Sequence, residues 1–472
     1  MVELTLRDPG RFARMPSMEA ALVAGEAWPT LEGVPREVTS VFATDFEGDG
    51  RAELVLNLTQ DLYAPTRHRS GSWIARREGD ARWTVSRNPD EVGMCRTAAD
   101  LDDDGDPDLV CVGRAARVMW NEQGRFDVGR STPLALRGAA MAAMAWDLDR
   151  DGLLDLVVSH WEGATLQVFQ NLGGGRFDDV STTWGLSVDG MTWCTGIVDF
   201  DDDGGEDLYV VGDGAAHENL ALRNTGPAPD GSPRFARVTP SGDPRQAARW
   251  FGTSDAGPMG LAFGWIDDDD RPDLVVASDL FSGPGLPVLS ARTRGDCRSI
   301  SAQFRLATEV SDTGAPMIPW SPRIWDFDHD GRADLLVPCG DDLGHGGGPR
   351  RGASRVLALR GGADGVLRDV TDALLPTRGH FMTPSLVDLD DDDDLDLVLG
   401  GFGQPWQVYR NDLTPRAPHT LLRLVGTSSN TDALGATVTV RVGAQTRRHR
   451  IGDLAAPQAT ELGPVDLALG AA

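Results

Sequence analysis

The sequence predicts an all-β chain: a seven-bladed β-propeller over residues 39–414, an N-terminal arm over 1–38, and a small C-terminal β domain over 415–472. Three observations carry this. A nine-residue acidic turn recurs seven times, each copy followed at once by a short apolar run. A second pattern, an apolar strand followed by Asn, Gly and then Phe, recurs roughly twenty residues after the turn. Successive turns start about 47 to about 66 residues apart, which is room for four short strands. Radial repetition of such a unit is a propeller.

The clearest turn is Asp147-Leu148-Asp149-Arg150-Asp151-Gly152-Leu153-Leu154-Asp155. Carboxylates stand at positions one, three, five and nine, and glycine at six. Alternate acids around a tight turn aim their oxygens at one point, which suits a hard, oxygen-seeking cation, calcium above all. The first turn offers Asp45, Glu47, Asp49 and Glu53, and the second Asp100, Asp102, Asp104 and Asp108. The fourth offers Asp199, Asp201, Asp203 and Asp207, and the sixth Asp326, Asp328, Asp330 and Asp334. The seventh, Asp388, Asp390, Asp392 and Asp396, has Asp393 in place of glycine. The fifth is degenerate: Trp265 stands at position one and Asp270 at six, leaving Asp267, Asp269 and Asp273 to hold an ion more weakly.

Four carboxylates within a few ångströms repel one another, each close pair by about 4 kcal/mol at an effective dielectric near 20. A bound cation removes that repulsion and pins the turn to the strand it precedes. The alternative for the turn alone is an EF-hand, which needs a bidentate acid at position twelve and flanking helices. Position twelve is Cys111, Val158, Val210, Val337 and Leu399 in the copies concerned, all in strand-like runs. A merely solvated turn explains one copy but not a set of near-identical spacings.

The hairpin pattern is fullest from 166 to 180, with Asn171, Gly173 and Phe177. Asn121 with Gly124 and Phe126, Asn224 with Gly226 and Phe235, and Tyr409 with Asn411 echo it. Asn and Gly tolerate the positive φ of tight turns. Each unit therefore reads as strand, acidic turn, strand, hairpin, strand.

The whole chain has 472 residues, a net charge of −28 and a pI near 4.6. That balance argues against nucleic acid or an anionic membrane as partner. Every basic residue is Arg; there is no Lys. Five cysteines make no disulfide framework, although Cys95 and Cys111 bracket one acidic turn and can meet across neighbouring strands. No CxxC or Cys/His cluster points to zinc. No apolar run fits a signal peptide or a membrane span, so the protein is expected in the cytoplasm, or outside the cell with a signal removed.

The turn, the strand after it and the Asn-x-Gly hairpin together resemble the FG-GAP/VCBS repeats of integrin α-chain propellers and of many bacterial secreted proteins. The match covers about residues 40–412. Residues 421–440, with Gly426, Asn430, Asp432, Gly435 and Ala436, resemble the ASPIC/UnbV domain, although the end at Leu467 and Gly470 departs from that domain's usual closing motif. The combination is similar to bacterial homologues of cartilage acidic protein. The resemblance implies calcium binding; some homologues act in calcium-dependent cyclisation or cycloaddition on small organic substrates.

No Ser nucleophile elbow, Cys/His pair or phosphate-binding glycine loop is present. Propellers bind ligands where the entries to the innermost strands converge. Here those entries carry Trp193, Met259, Trp320 and His380, which either line a channel mouth or plug the channel. His160-Trp161-Glu162 and the loop around His345 read as packed or exposed loops, and Arg294-Gly295-Asp296 as a chance tripeptide. Two functions stay open. One is a binding module with mainly structural calcium, presenting a face to a small molecule, protein or glycan. The other is an enzyme that uses calcium as a Lewis acid in a cyclisation or cycloaddition. No catalytic residue or oligomeric state can be assigned from the sequence.

Overall fold

The computed structural model describes residues 13–14, 38–58, 71–78, 82–88, 93–162, 166–188, 190–201, 203–212, 220–238, 258–266, 272–278, 288–293, 296–299, 318–340, 354–375, 377–401, 406–411, 413, 418–427, 429–442, 445–452 and 462–468. Antiparallel sheets follow one another along the chain, and all the propeller sheets but the last are made of strands consecutive in sequence. The first is Ser40–Thr44, Glu53–Leu58, Gly71–Glu78 and Arg82–Arg87. The next three repeat that order from Met94–Ala99, Ala139–Trp146 and Thr192–Val198. The fifth starts at Pro258–Gly264 and the last at Phe381–Val387. First strands of neighbouring sheets pack on one another from Met94–Ala99 through Ala139–Trp146, Thr192–Val198 and Pro258–Gly264 to Ile318–Pro319, so they lie innermost, and Ser40–Thr44 meets Phe381–Val387 to close the ring. Gly401 N–H donates to Val38 O across that closure at 2.7 Å.

Six of the sheets are regular four-stranded blades, not the seven expected. The sixth in sequence has five strands because its innermost strand is cut in two. Ile318–Pro319 and Arg323–Trp325 both pair with Asp334–Gly340. Pro319 and Pro322 bring no N–H to the ladder, so it cannot run unbroken through them. Other sheets hold a register shift near the same place, at Cys95/Thr97, Ala140/Ala142, Thr192/Cys194, Pro258/Gly260 and Phe381/Pro384. The break is this shared bulge taken one step further.

Strands such as Glu53–Leu58 and Asp108–Val112 are buried along their whole length. Each lies between two neighbouring sheets, so both faces are covered and the sequence is a continuous apolar run instead of an alternation. The core is accordingly spread between sheets. Phe42, Val55, Cys95 and Leu109 pack the first against the second, and Val275, Ala277, Leu335 and Val337 the fifth against the sixth. Leu336, Ala358, Leu397 and Leu399 do the same for the sixth and last. Cys95 and Cys111 face each other in register and are joined by a disulfide.

Two features at the chain ends differ from the expectation. The N-terminal segment is not only an arm: Ala13–Arg14 pairs antiparallel with Tyr409 and Arg410. It supplies the fourth strand that the last sheet lacks, because that edge would otherwise expose unpaired backbone groups. The C-terminal segment pairs His419–Leu422 with Val465–Ala468 and Thr437–Val442 with Gln445–Arg450. It does not hang free as an appendage but lies across the acidic turns. Asp100 N–H donates to Asp432 Oδ2 at 2.7 Å, and Arg423 Nη1 lies 3.1 Å from Asp45 Oδ2. The Arg450 guanidinium sits 4.6 Å over the Trp146 ring and donates to Ile197 O at 2.7 Å. Gly435, at φ +88°, lets the segment approach closely: a Cβ there would stand 3.1 Å from Trp146.

Candidate metal centres in the acidic turns

Each acidic turn links the innermost strand of a sheet to the second, so all of them fall at one end of the ring. Strands, not helices, flank them, which rules out the EF-hand. The same hydrogen bonds recur from copy to copy. The position-one carboxylate accepts the amides of positions five and six. Asp45 takes Asp49 N–H at 3.1 Å and Gly50 N–H at 2.9 Å, and Asp100 takes Asp104 at 3.1 Å and Gly105 at 2.9 Å. Asp147, Asp199 and Asp388 do the same, and Asp326 takes Gly331 N–H at 2.8 Å. Glycine at position six follows from its φ, +88° at Gly50 and +98° at Gly152. In the seventh turn Asp393 adopts φ +68° in its place.

Position nine has a role beyond the ligand role expected of it. One carboxylate oxygen accepts the position-two amide: Asp108 from Leu101 at 3.0 Å, Asp155 from Leu148 at 3.1 Å, Asp396 from Leu389 at 2.9 Å. The other accepts the amide of the hairpin residue: Asn121, Asn171 and Asn411 at 2.8 Å each, Asn224 at 2.7 Å. The Asn side chain then reaches the preceding sheet. Asn121 Nδ2 donates to Phe46 O at 2.9 Å, Asn171 Nδ2 to Leu101 O at 2.7 Å and Asn411 Nδ2 to Phe327 O at 3.2 Å. Each of these acceptors is the position-two carbonyl of the neighbouring acidic turn. The two motifs found separately in the sequence are therefore halves of one network, and Asn was missed as its connector. Spacing alone gives no sign of which sheet it contacts.

Three groups draw carboxylate oxygens within 4.8 Å of one another at positions one, three and five or nine: Asp100, Asp102 and Asp108; Asp147, Asp149 and Asp151; and Asp199, Asp201 and Asp203. Asp326, Asp328 and Asp334 form a fourth. Buried oxygens without a hydrogen-bond partner among the described residues, Asp326 Oδ1, Asp201 Oδ1 and Asp390 Oδ1, belong to positions one and three. Such donor sets fit a calcium-like ion by charge and by ligand type. In the first turn Glu47, Asp49 and Glu53 stand at the expected positions, but Arg76 pairs with Glu47 at 3.0 Å. Asp267 and Asp269 of the fifth turn lie outside the described residues, as do His345, Arg294 and Gly295; Asp273 accepts Ile266 N–H at 2.8 Å.

Burial pushes the position-nine carboxyls upward, against the pull of their backbone donors. Glu53 rises to about 7, Asp108, Asp207 and Asp396 to about 8, and Asp155 and Asp334 well above the usual range. Burial and the neighbouring carboxylates raise Asp147 to about 6.

The channel-mouth candidates lie at the opposite ends of the innermost strands. Trp193, Met259 and Trp320 are buried in one cluster with Met141 and Met382. Trp193 meets Trp320 edge-on at 6.3 Å, and the His380 ring lies 5.9 Å from Trp320. Together they pack as one buried group. An uncharged imidazole suits such packing, and burial holds His380 down near 4. His160 is buried too, with its backbone N–H donating to Thr192 Oγ1 at 2.9 Å. A cavity of about 270 Å³ opens elsewhere, between the fifth, sixth and last sheets and the 437–450 hairpin. Trp265, Trp325, Arg323, Arg447, His449 and Asp466 are among its walls.

Comparison with known proteins agrees with the repeat. Residues 100–158 and 147–210 match the FG-GAP-like repeat. The chain carries FG-GAP-like repeats arranged as a β-propeller. It matches no curated protein sequence. Among solved structures, the biofilm matrix protein Bap1 of V. cholerae is similar at 12 % identity and a TM-score of 0.37, over 91 % of this chain and 97 % of that one.

Two outcomes are expected. Asn171→Ala strands the Leu101 and Leu154 carbonyls and the Gly173 amide, and should cost about 2–4 kcal/mol in urea denaturation, against little change for Arg176→Ala on the exposed hairpin. The second concerns pH. A carboxyl raised by folding keeps its proton after the unfolded chain has lost it, so stability falls as pH rises from about 4 to about 8. The melting temperature in chelator should therefore drop across that window, and a divalent cation should flatten the slope. Parallel profiles with and without chelator would show that the turns hold no ion.

Proposed function

We propose that this chain is a calcium-stapled propeller that binds a small ligand, with calcium chiefly structural. The observation behind the reading is the recurrence of converging carboxylates in several turns, with buried oxygens at Asp201, Asp326 and Asp390 that have no hydrogen-bond partner among the described residues. Loading each turn with Ca²⁺ neutralises the desolvated acids and locks the network that joins neighbouring sheets. Residues 39–414 are read as the propeller and 415–472 as an ASPIC/UnbV-like β domain that covers the turns. The strand pairs that the C-terminal segment makes within itself support this.

The ligand site is assigned to the cavity between the fifth and sixth sheets instead of the channel mouth, where the aromatic side chains are buried. Two Trp rings and the guanidinium groups around them suit an aromatic or apolar molecule bearing an acidic group. A second reading, a calcium-dependent enzyme of cyclisation or cycloaddition, draws on one fact. Asp326, at position one of the sixth turn, also lines this cavity, so a cation held there is near whatever occupies it.

Calcium should raise the melting temperature of chelator-treated protein by several degrees. Asp201→Asn should shrink that gain, measured by scanning calorimetry at fixed pH; an unchanged curve in excess chelator would refute structural calcium. Anilinonaphthalene sulfonate, an aromatic anion, should bind the calcium-loaded chain, and Ala333→Trp, which fills the cavity, should weaken it several-fold. Equal fluorescence titrations for both proteins would place the ligand site elsewhere.

A further inference from the structure

The sixth acidic turn is the one with a histidine, His329, at position four. Position four of these turns has positive φ: +61° at Asp103, Arg150 and Asp391, and +54° at His329. This conformation projects the side chain away from its own carboxylates toward what lies alongside. Asp103 meets Thr431 and Asp391 meets Arg77. In the sixth turn the projected group is an imidazole.

His329 points under the C-terminal segment. Its ring stacks on that of His419 with centroids 3.8 Å apart and planes 4° from parallel. Its Nε2 lies 2.5 Å from Asp466 Oδ2. One ligand atom from each of the three residues falls within 4.8 Å of the others. His329 and Asp466 are 0 % and 4 % exposed, yet His329 Nδ1 and Asp466 Oδ1 have no hydrogen-bond partner among the described residues. A simple ion pair would leave both atoms buried and unpaired, which is costly. The three groups come from separate elements: the turn, the strand His419–Leu422 and the strand Val465–Ala468.

We propose that His329, His419 and Asp466 form a metal site of a second kind, taking zinc or another divalent first-row ion. Two imidazoles and one carboxylate are the donor set such ions prefer, whereas calcium seeks oxygen alone. Three protein ligands leave at least one position for water or an exogenous group. Asp466 also lines the cavity of about 270 Å³, as does His449, so the ion stands beside that space. The site shares the sixth turn with an acidic cluster but differs from it in donor set, so the two are told apart by the metal each prefers.

The test is zinc binding to the full chain in excess Ca²⁺, which occupies oxygen-only sites, with X-ray absorption at the zinc edge. The expected result is one tight zinc per chain with imidazole scattering from two ligands. His419→Ala and Asp466→Asn should each weaken that site by at least about tenfold. Three results overturn the proposal: no zinc retained in Ca²⁺, an absorption spectrum showing oxygen ligands only (adventitious ion on the acidic turns), or unchanged affinity in both variants. Should a variant fail to fold, the spectrum of the unsubstituted chain decides by itself.

Discussion

The fold rests on the carboxylate that closes each acidic turn. At position nine it is buried and accepts two backbone amides at once, one from its own turn and one from the hairpin beyond. The hairpin Asn passes the constraint on, donating to the carbonyl of the turn before it. A sheet of four short strands has little core of its own and is held by its neighbours. This repeated polar contact fixes their spacing and angle at one end of the ring, while the apolar clusters between sheets fill the space behind it.

That arrangement concentrates negative charge where burial makes it most costly. The upward shifts at Glu53, Asp108, Asp207 and Asp396 express the same conflict. Guanidinium groups relieve part of it: Arg223 reaches Asp203 at 2.9 Å, and Arg332 reaches Asp330 at 2.8 Å. These pairs are exposed at one partner and contribute little each. Protonation relieves the rest at low pH, and at higher pH a cation placed among the buried oxygens would do so, which is the physical case for one in the turns.

Much of the architecture was legible in the sequence because the repeat is local. Strand, turn and hairpin are each encoded within a few residues, and glycine at position six reports a backbone requirement directly. What was not legible is what depends on distant partners. Pro322 marks the split strand only once its pairing with Asp334–Gly340 is seen. Trp193, Met259, Trp320 and His380 were placed at the axis by their position in the repeat, but whether aromatic groups there pack or gape depends on their mutual distances. In the sequence His329 is only the residue between Asp328 and Asp330; its partners His419 and Asp466 are far along the chain and leave no local mark.

The pairing of Ala13 with Arg410 and of Arg14 with Tyr409 joins segments that enclose all the other sheets of the ring. All of the chain between Ala13 and Arg410 must be synthesised before that contact can form. Until then the circle stays open, with apolar flanks exposed on its first and last members. Closure across so long a loop is entropically slow. The unfinished ring is thus the species most exposed to aggregation or to chaperone capture.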